Sequence, residues 1–462
     1  MATAWDQYAA TSLGPLQDRL VATQVHDSVA PFSPLWRRRF IELNRKSASI
    51  RSVADLESIP AMGERDICPT GDPSGMAALV LQAGEAGFAL YAPGPRLRRA
   101  LRLRFTRRDA YQRVVDADTR ATSYVFSGYG MRYPIASTRA DLDTIARAGA
   151  RLWAVLGLTR DDVLLSGVEP AATTEHVALE YAAIGAGSPA LFPGSRPEAI
   201  AAAARLAPPT VLALPTDRAV QVLERLRGLT SLRTLLLVGA PTDAERLAAT
   251  HAAHRAVGAG DLAVLAVHAP AGARLLWGEC RQSGGQTGLH AYPDLDVLQV
   301  VEPETGEHTT GSGELVLTQL GMRGSALLRW RTGDVVAAVS TAPCPSCRRV
   351  VPRAEGLHRR ALVTGIGADG EAIDLRAVAS ALTARRDIRD WRIATGRRGR
   401  DGGSRVVVRL VAEGADTAGT VIGAAADIRA LAGTLPTQIV LSDPHELESL
   451  GGHRHSEHII AE

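Results

Sequence analysis

Lysine, cysteine and long apolar runs are scarce in this chain of 462 residues. Lys46 is the only lysine among the 52 basic residues, so a cationic role elsewhere falls to arginine or histidine. Four cysteines are too few for a disulfide framework. No run approaches the ~18 apolar residues of a membrane span, and the first residues lack the charged and apolar regions of a signal peptide. We therefore expect a cytoplasmic protein without a membrane partner.

The bulk composition is that of an ordinary globular protein with more than one domain. Hydrophobic residues make up 46% of the chain and charged residues 22%, and the formal net charge is +3. At 462 residues the chain is too long for a single hydrophobic core. The arginine-rich stretch 96–108 has only Phe105 as an interleaved aromatic residue. It therefore indicates a solvated helix face, and we expect no nucleic-acid partner.

From residue 139 onward the sequence alternates between helical and strand-like patterns. The strand-like segments are short, continuous apolar runs, which are typical of parallel strands covered on both faces. Because helical segments of about 10–15 residues separate them, the pattern predicts βαβ units and a parallel sheet. The predicted helices are 142–156, 178–186, 197–206 and 217–229, and the predicted strands are 162–165, 190–192, 210–214 and 234–238.

The two ends of the chain have different patterns. Residues 15–70 indicate helices, whereas the pattern after residue 297 is mostly β as far as about residue 340. A domain boundary near residue 356 divides the chain into predicted domains 1–356 and 357–462. The second domain is expected to be α+β, with helices at 374–384 and 418–431 and strands at 391–395, 404–411 and 437–441.

Three of the four cysteines fall in one region of the sequence. Cys344 and Cys347 form a C-x2-C knuckle, and Cys280 and His290 precede it. Three thiolates and one imidazole suit tetrahedral zinc with no open position, so this set predicts a structural metal site. A reduced, buried C-x2-C without metal is the alternative. A redox pair is disfavoured because no strand-to-helix thioredoxin context surrounds the knuckle.

A second candidate site lies in a β-rich stretch. The segment 313–318 alternates in the manner of a strand, and Thr332-Gly333-Asp334 follows as a predicted sharp turn. Such a turn would expose Asp334 at a strand end, where one carboxylate can accept hydrogen bonds from both vicinal hydroxyls of a ribose. A plain Asx-type turn between two strands is the alternative.

These motifs resemble those of a known family. GSGELVLTQL, which begins at Gly311, and LLRWRTGDVV, which begins at Leu327, resemble the signature of the adenylate-forming superfamily, and within it the phenylacetate–CoA ligase family. The resemblance implies a large α/β N-terminal domain, with parallel βαβ sheets and a β-rich part, and a small mobile α+β C-terminal lid. It also implies that ATP activates an aryl or acyl carboxylic acid to acyl-AMP, which then reacts with CoA or another thiol or amine. The cysteine and histidine segments resemble the place where some relatives carry zinc.

The resemblance also covers the family's phosphate-binding loop and adenine-binding turn. Residues 126–134 lie where the family has Ser-Ser-Gly-Thr-Thr-Gly-Lys-Pro, and backbone amides there would bind the ATP phosphates. Without the family, this stretch is a glycine turn between a strand and a helix. By resemblance, the nucleotide-binding residues are Ser127, Gly128, Gly130, Gly239, Ala240, Asp334 and Arg359.

The chain departs from the family pattern where phosphate chemistry takes place. Gly272 replaces the glutamate that binds Mg2+ in the family, and Glu279 is the nearest carboxylate that could substitute for it. Arg132 replaces the lysine of the phosphate loop, and Arg454 and His455 fall near the position of the C-terminal catalytic lysine. An alternative is therefore a non-adenylating descendant, which binds a nucleotide or an acyl thioester as a partner subunit or transferase in a biosynthetic pathway. A second copy of the chain, in a homodimer, and a protein of the same pathway are the candidate protein partners.

Overall fold

The structure of the chain is a computed structural model. It comprises a helical N-terminal part, an α/β part, a β-rich part and a C-terminal α+β domain. The described residues are 5–8, 10–67, 73–82, 94–106, 108–127, 133–169, 173–226, 228–241, 243–258, 261–283, 288–303, 305–359, 364–369, 372–397, 404–444, 447 and 459–461.

Helices dominate the described chain before residue 120, as the sequence predicts for residues 15–70. Ser33 begins one of them by accepting a hydrogen bond from the backbone N–H of Trp36, with Pro34 in the first turn. The fully buried indole of Trp36 lies in the core of this part. The helices are Ala10–Gln24, Val25–Val29 (π), Ala30–Phe32, Pro34–Glu42, Ser47–Ser49 (3-10), Val53–Leu56, Glu64–Ile67, Pro73–Leu79 (3-10), Gly94–Thr106 and Arg108–Thr119.

Fifteen strands precede residue 360 in the described chain, and helices separate those of the α/β part. The strands are β1 (Ala121–Ser127), β2 (Tyr133–Thr138), β3 (Leu164–Ser166), β4 (Ala190–Leu191), β5 (Val211–Pro215), β6 (Thr234–Val238), β7 (Ala263–His268), β8 (Trp277–Gly278), β9 (Leu289–His290), β10 (Asp296–Val301), β11 (Gly313–Gln319), β12 (Trp330–Val336), β13 (Ala338–Ser340), β14 (Arg353–Glu355) and β15 (His358–Arg359). The helices are Arg139–Leu156, Thr174–Ala186, Pro197–Leu206, Thr216–Arg218 (3-10), Ala219–Arg225, Asp243–Val257 and Arg281–Ser283 (3-10).

The largest sheet has nine strands in the order β13-β14-β9-β8-β7-β6-β5-β3-β4. Its five strands from β3 to β7 pair in parallel, which confirms the βαβ pattern predicted from the sequence. Every residue of β5 and β6 is buried, as expected for apolar strands covered on both faces. Pro215, Val238 and Val267 are in register, so the carboxyl ends of β5, β6 and β7 form one edge.

The helix Arg139–Leu156 is fixed at both ends by its own sequence. Thr138 and Asp141 form a capping box, and Gly157 ends the helix with a φ of 67°. The carboxylate of Asp141 also accepts hydrogen bonds from the backbone N–H groups of Arg323 and Gly324. One buried side chain therefore ties the α/β part to the loop between β11 and β12.

A four-stranded sheet in the order β10-β11-β12-β15 forms the β-rich part. β11 lies where the alternating pattern predicts it, but the sharp turn predicted at Thr332-Gly333-Asp334 is wrong. These residues continue inside β12, with Gly333 at a φ of 75°. The Thr332 hydroxyl donates to the Leu315 carbonyl at 2.9 Å, and Asp334 pairs with Arg359 of β15. These two contacts hold residues 332–334 in the sheet.

The C-terminal part is a separate α+β domain. Its strands are β16 (Thr364–Ile366), β17 (Ala372–Asp374), β18 (Ile388–Arg397), β19 (Ser404–Ala412), β20 (Gln438–Leu441) and β21 (Ile459–Ala461), and its helices are Leu375–Ala384 and Thr417–Ala432. The strands form one sheet in the order β17-β16-β19-β18-β21, with β20 on β19. Arg218 of the α/β part reaches Asp390 of β18 at 3.1 Å. Among the described helices, none is long and apolar enough to cross a membrane.

Candidate functional site

The predicted nucleotide-binding residues that the structure describes gather at the carboxyl edge of the parallel strands. This edge is where ligands bind in open α/β sheets. Gly239 follows β6 with a φ of 127°, a backbone conformation that favours glycine, and its N–H donates to the carbonyl of Val267 at 2.8 Å. Ala240 follows it and is half-buried. His268 then ends β7, one residue beyond Val267.

Asp334 is buried rather than exposed at a strand end, which corrects the expectation from the sequence. Its side chain is fully buried, and Oδ2 lies 2.9 Å from Nε2 of His268, which is also buried. The other carboxylate oxygen, Oδ1, is buried with no hydrogen-bond partner among the described residues. Because a buried acceptor without a donor costs about 1–3 kcal/mol or more, Oδ1 is suited to a ligand hydroxyl.

Ser127 at the end of β1 is connected to the same edge. The backbone N–H of Gly272 donates to the hydroxyl oxygen of Ser127 at 2.7 Å. Gly272, with a φ of 82°, lies in the turn that follows His268. Ser127, the described end of the predicted phosphate loop, therefore meets the turn that contains Gly272, where the sequence resemblance places the magnesium-binding glutamate.

Trp330 fills the space beside Gly272. A Cβ atom on Gly272 would lie 2.9 Å from Nε1 of Trp330 and 2.8 Å from Cδ1 of Leu327. The indole is fully buried and packs edge-on against Tyr133, with ring centroids 5.6 Å apart. A glutamate cannot take the place of Gly272 in this packing.

Glu279 does not supply the missing carboxylate. Arg246 binds both of its oxygens, at 2.8 and 2.9 Å, and the backbone N–H of Ala266 donates to it at 2.7 Å. Its side chain is 5% exposed. Glu279 is thus fully engaged in fixing the helix Asp243–Val257 to the sheet.

Several predicted site residues lie outside the described residues or are described only in part. For Arg359 the structure gives the backbone alone, paired with Asp334 between β12 and β15. Those outside the described residues are Gly128, Gly130, Arg132, Arg454 and His455.

Sequence reasoning did not assign roles to His268 and Trp330. The available signal for His268 was a polar residue at the end of an otherwise apolar strand, where parallel strands place ligand-binding groups. Trp330 precedes the Arg-Thr-Gly-Asp motif, but its contact with Gly272 joins residues that are 58 positions apart, which no local pattern predicts.

The structure also brings together the four predicted metal-binding side chains. Cys280, His290, Cys344 and Cys347 have ligand atoms that all lie within 4.8 Å of one another. The Sγ atoms of Cys280 and Cys344 are 3.9 Å apart, and Sγ of Cys347 lies 3.3 Å from Nε2 of His290. Tetrahedral zinc with Zn–S of ~2.3 Å and Zn–N of ~2.0 Å requires ligand separations of roughly 3.5–3.8 Å. The separations of 3.9 and 3.3 Å lie close to this range, so the four side chains are placed to hold one metal ion.

His290 has the orientation and charge state of a metal ligand. Its Nδ1 lies 3.2 Å from the carbonyl of Gly278, which leaves Nε2 directed towards the cysteines. Burial, followed by the nearby guanidinium of Arg353, lowers the pKa of His290 to about 4. The imidazole is therefore neutral at ordinary pH, which is the form that binds metal ions.

The C-x2-C knuckle is a tight turn. The N–H of Arg348 donates to the carbonyl of Cys344 at 2.9 Å, and Arg348 has a φ of 63°, which is rare for a residue with a side chain. The next residue, Arg349, forms an ion pair with Asp6 at 3.0 Å. The knuckle thereby connects the N-terminal segment to the nine-stranded sheet.

The chain is similar in structure to 2-hydroxyisobutyryl-CoA ligase. For that ligase in the postadenylation state with R3-HIB-AMP, the TM-score is 0.67 over 99% of this chain and 91% of the ligase, at 16% identity. For its thioesterification state with 2-HIB-AMP and CoA, the TM-score is 0.60 over the same shares, also at 16% identity. No protein-family model matches the chain, and no curated protein matches it in sequence. The chain therefore has the fold of a CoA ligase along nearly its whole length.

Proposed function

We propose that this chain is a divergent enzyme of the phenylacetate–CoA ligase type. It uses ATP to activate an aryl or acyl carboxylic acid as acyl-AMP, and then transfers the acyl group to CoA or to another thiol or amine. The observation that carries the proposal is the carboxylate of Asp334, which is buried near the carboxyl edge of β6 and β7 with one oxygen unpaired within the described chain. In the fold of a CoA ligase, a ribose hydroxyl is the donor that suits this oxygen.

In the proposed reaction, a carboxylate oxygen of the acid attacks the α-phosphorus of ATP, and pyrophosphate leaves. The acceptor thiol or amine then attacks the acyl carbon, and AMP leaves. Ser127, Gly128 and Gly130 would hold the phosphates, while Gly239 and Ala240 would lie beside the adenine. The chain's part in this chemistry is to position the two substrates and to neutralise the charge that develops on the phosphate.

Charge neutralisation falls to residues other than lysine in this proposal. Arg132 would act at the phosphate loop, and Arg454 or His455 would act near the C-terminus, while Arg359 would contact the ribose and the phosphates. A histidine with an ordinary pKa near ~6.5 would make the first half-reaction slow as pH rises through that value, whereas an arginine would not titrate. The pH profile of acyl-AMP formation therefore distinguishes His455 from Arg454.

The position that binds Mg2+ in the family does not fit a metal ion here. Gly272 has no side chain, Trp330 fills the space that a side chain would need, and Glu279 is bound by Arg246. No step of the proposed reaction therefore depends on Mg2+ at this position. The Cys280, His290, Cys344 and Cys347 set, in contrast, fits zinc, and we propose one structural zinc ion there. Its chemistry would be to crosslink the knuckle to the sheet, since four protein ligands leave no open position.

A second candidate function follows from the same turn. The occupied space beside Gly272 and the absence of lysine after Lys46 favour a descendant that no longer adenylates. Such a protein would bind an adenosine nucleotide, an acyl-adenylate or a CoA thioester as a partner subunit or a transferase.

ATP–pyrophosphate exchange across a panel of aromatic and aliphatic acids separates the two functions. Exchange with any acid supports the enzyme. No exchange with any acid, while calorimetry shows that nucleotide still binds, supports the non-adenylating descendant.

A further inference from the structure

The two carboxylate oxygens of Asp334 have different surroundings, because His268 contacts only one of them. Nε2 of His268 lies 2.9 Å from Oδ2, while Oδ1 has no hydrogen-bond partner within the described part of the chain. Both side chains are almost completely buried, at 1% exposure for His268 and 0% for Asp334. A hydrogen bond to a carboxylate is stronger in a buried site than in water. Water therefore does not readily replace His268 as the donor to Oδ2.

The backbones on both sides of the pair are fixed by their sheets. His268 ends β7 and pairs with Trp277 of β8. Asp334 lies inside β12, where its N–H donates to the Thr332 hydroxyl at 3.1 Å. Gly333 is held by its N–H, which donates to a carboxylate oxygen of Glu314 at 3.3 Å. The orientation of the carboxylate relative to His268 is therefore built into the fold.

We propose that His268 is a positioning residue that makes the nucleotide site recognise one ribose hydroxyl instead of two. This inference rests on the proposed nucleotide binding. A carboxylate with both oxygens available accepts one hydrogen bond from each vicinal hydroxyl of a ribose. Oδ1 accepts from one hydroxyl, whereas a second hydroxyl would have to share Oδ2 with His268, whose hydrogen bond already occupies one of its two lone pairs, and therefore contributes little to affinity. The site therefore discriminates strongly against one of the two monodeoxy nucleotides and weakly against the other.

The test is a calorimetric titration of the full chain with AMP, 2′-deoxy-AMP and 3′-deoxy-AMP. One analogue should bind ~10-fold or more weakly than AMP, because it lacks the hydroxyl that donates to a charged acceptor. The other should bind within about 3-fold of AMP. Equal losses for the two analogues would overturn the role of His268 while leaving nucleotide binding in place.

Two substitutions of His268 distinguish a role in positioning the Asp334 carboxylate from a role in the stability of the fold alone. His268→Leu removes the donor, so both analogues should then lose affinity to a similar degree, ~10-fold each. His268→Gln keeps an N–H donor at about the same reach and should restore the unequal response. Thermal unfolding of both variants shows whether the fold is kept.

Two results would contradict the inference. One is an unequal response that persists in a folded His268→Leu variant, since the asymmetry would then come from another group. The other is an absence of AMP binding by the wild-type chain, which would overturn the proposed nucleotide binding together with this inference.

Discussion

The indole of Trp330 occupies the place of a side chain at Gly272: a Cβ atom there would lie 2.9 Å from Nε1. Gly272 lies in the turn after β7, a strand of the nine-stranded sheet, and Trp330 is the first residue of β12 in the four-stranded sheet. Their contact leaves no room for a carboxylate side chain at this turn. A glutamate at position 272 would require that the indole also be replaced.

Replacing Gly272 by alanine should therefore cost more stability than the strain of its positive φ alone, because the added Cβ atom would also overlap Trp330 and Leu327. Gly321 is a matched control, because its φ of 73° is close to the 82° of Gly272 and no atom lies within 4 Å of its Cβ position. We expect Gly321→Ala to cost ~1–2 kcal/mol, and Gly272→Ala to cost a further ~1–3 kcal/mol from overpacking. Urea unfolding measures both, and equal losses would show that Trp330 does not restrict this position.

Removing one thiolate from the metal site should lower both metal content and stability. We expect about one equivalent of zinc in protein purified without added metal, and Cys344→Ser should lose it because three ligands bind zinc more weakly than four. Elemental analysis and thermal unfolding are the measurements. Cys68→Ser is the control and should keep the zinc. Metal-free wild-type protein whose melting temperature equals that of Cys344→Ser would contradict the assignment.

Ionisation of the buried Asp296 carboxyl should lower the free energy of unfolding as pH rises. Burial raises its pKa from 3.8 to about 7, against the hydrogen bond from Trp277, which lowers it. Between about pH 4 and pH 7 the folded chain therefore keeps a proton that the unfolded chain releases, so the free energy of unfolding falls with rising pH.

Asp296→Asn removes this penalty. Between pH 5 and pH 8 the wild type should lose ~2–3 kcal/mol more stability than the variant, measured by urea unfolding. Asp162→Asn is the control. Burial acts to raise the pKa of Asp162, but hydrogen bonds from Thr159 and Thr210 outweigh it and hold the pKa below 3.8. Its carboxylate is ionised in both states above pH 5, so it should show no such difference. Parallel pH profiles for Asp296→Asn and the wild type would contradict the assignment.

The parts of the fold that local patterns encode could be predicted from the sequence. The helix Pro197–Leu206 and the strand Thr234–Val238 lie at the predicted bounds, because apolar periodicity and an N-terminal proline are local signals. The environment of Asp334 could not be predicted. Its partner His268 lies 66 residues away in another sheet, and the expected turn is instead held in β12 by the bond from Thr332 to Leu315.

The grouping of the four metal-binding side chains could be predicted although Cys280 and Cys344 are 64 residues apart. Cysteine is rare in this chain, so three cysteines and a histidine in one region are a signal that does not depend on knowing the fold. The identity of the metal stays a prediction. For Arg132, Arg454 and His455, which lie outside the described residues, the proposed roles depend on the resemblance alone.

The central claim is that Asp334 binds the ribose of an adenosine nucleotide, and Asp334→Ala tests it most directly. Removing a charge-assisted acceptor costs ~1.5–3 kcal/mol, so the affinity for ATP or AMP should fall roughly 10 to 150-fold by calorimetry. Asp162→Ala is the matched control. This buried carboxylate lies two residues before β3, at the opposite edge of the sheet, so nucleotide affinity should be unchanged. A folded Asp334→Ala variant that binds nucleotide as tightly as the wild type would contradict the account.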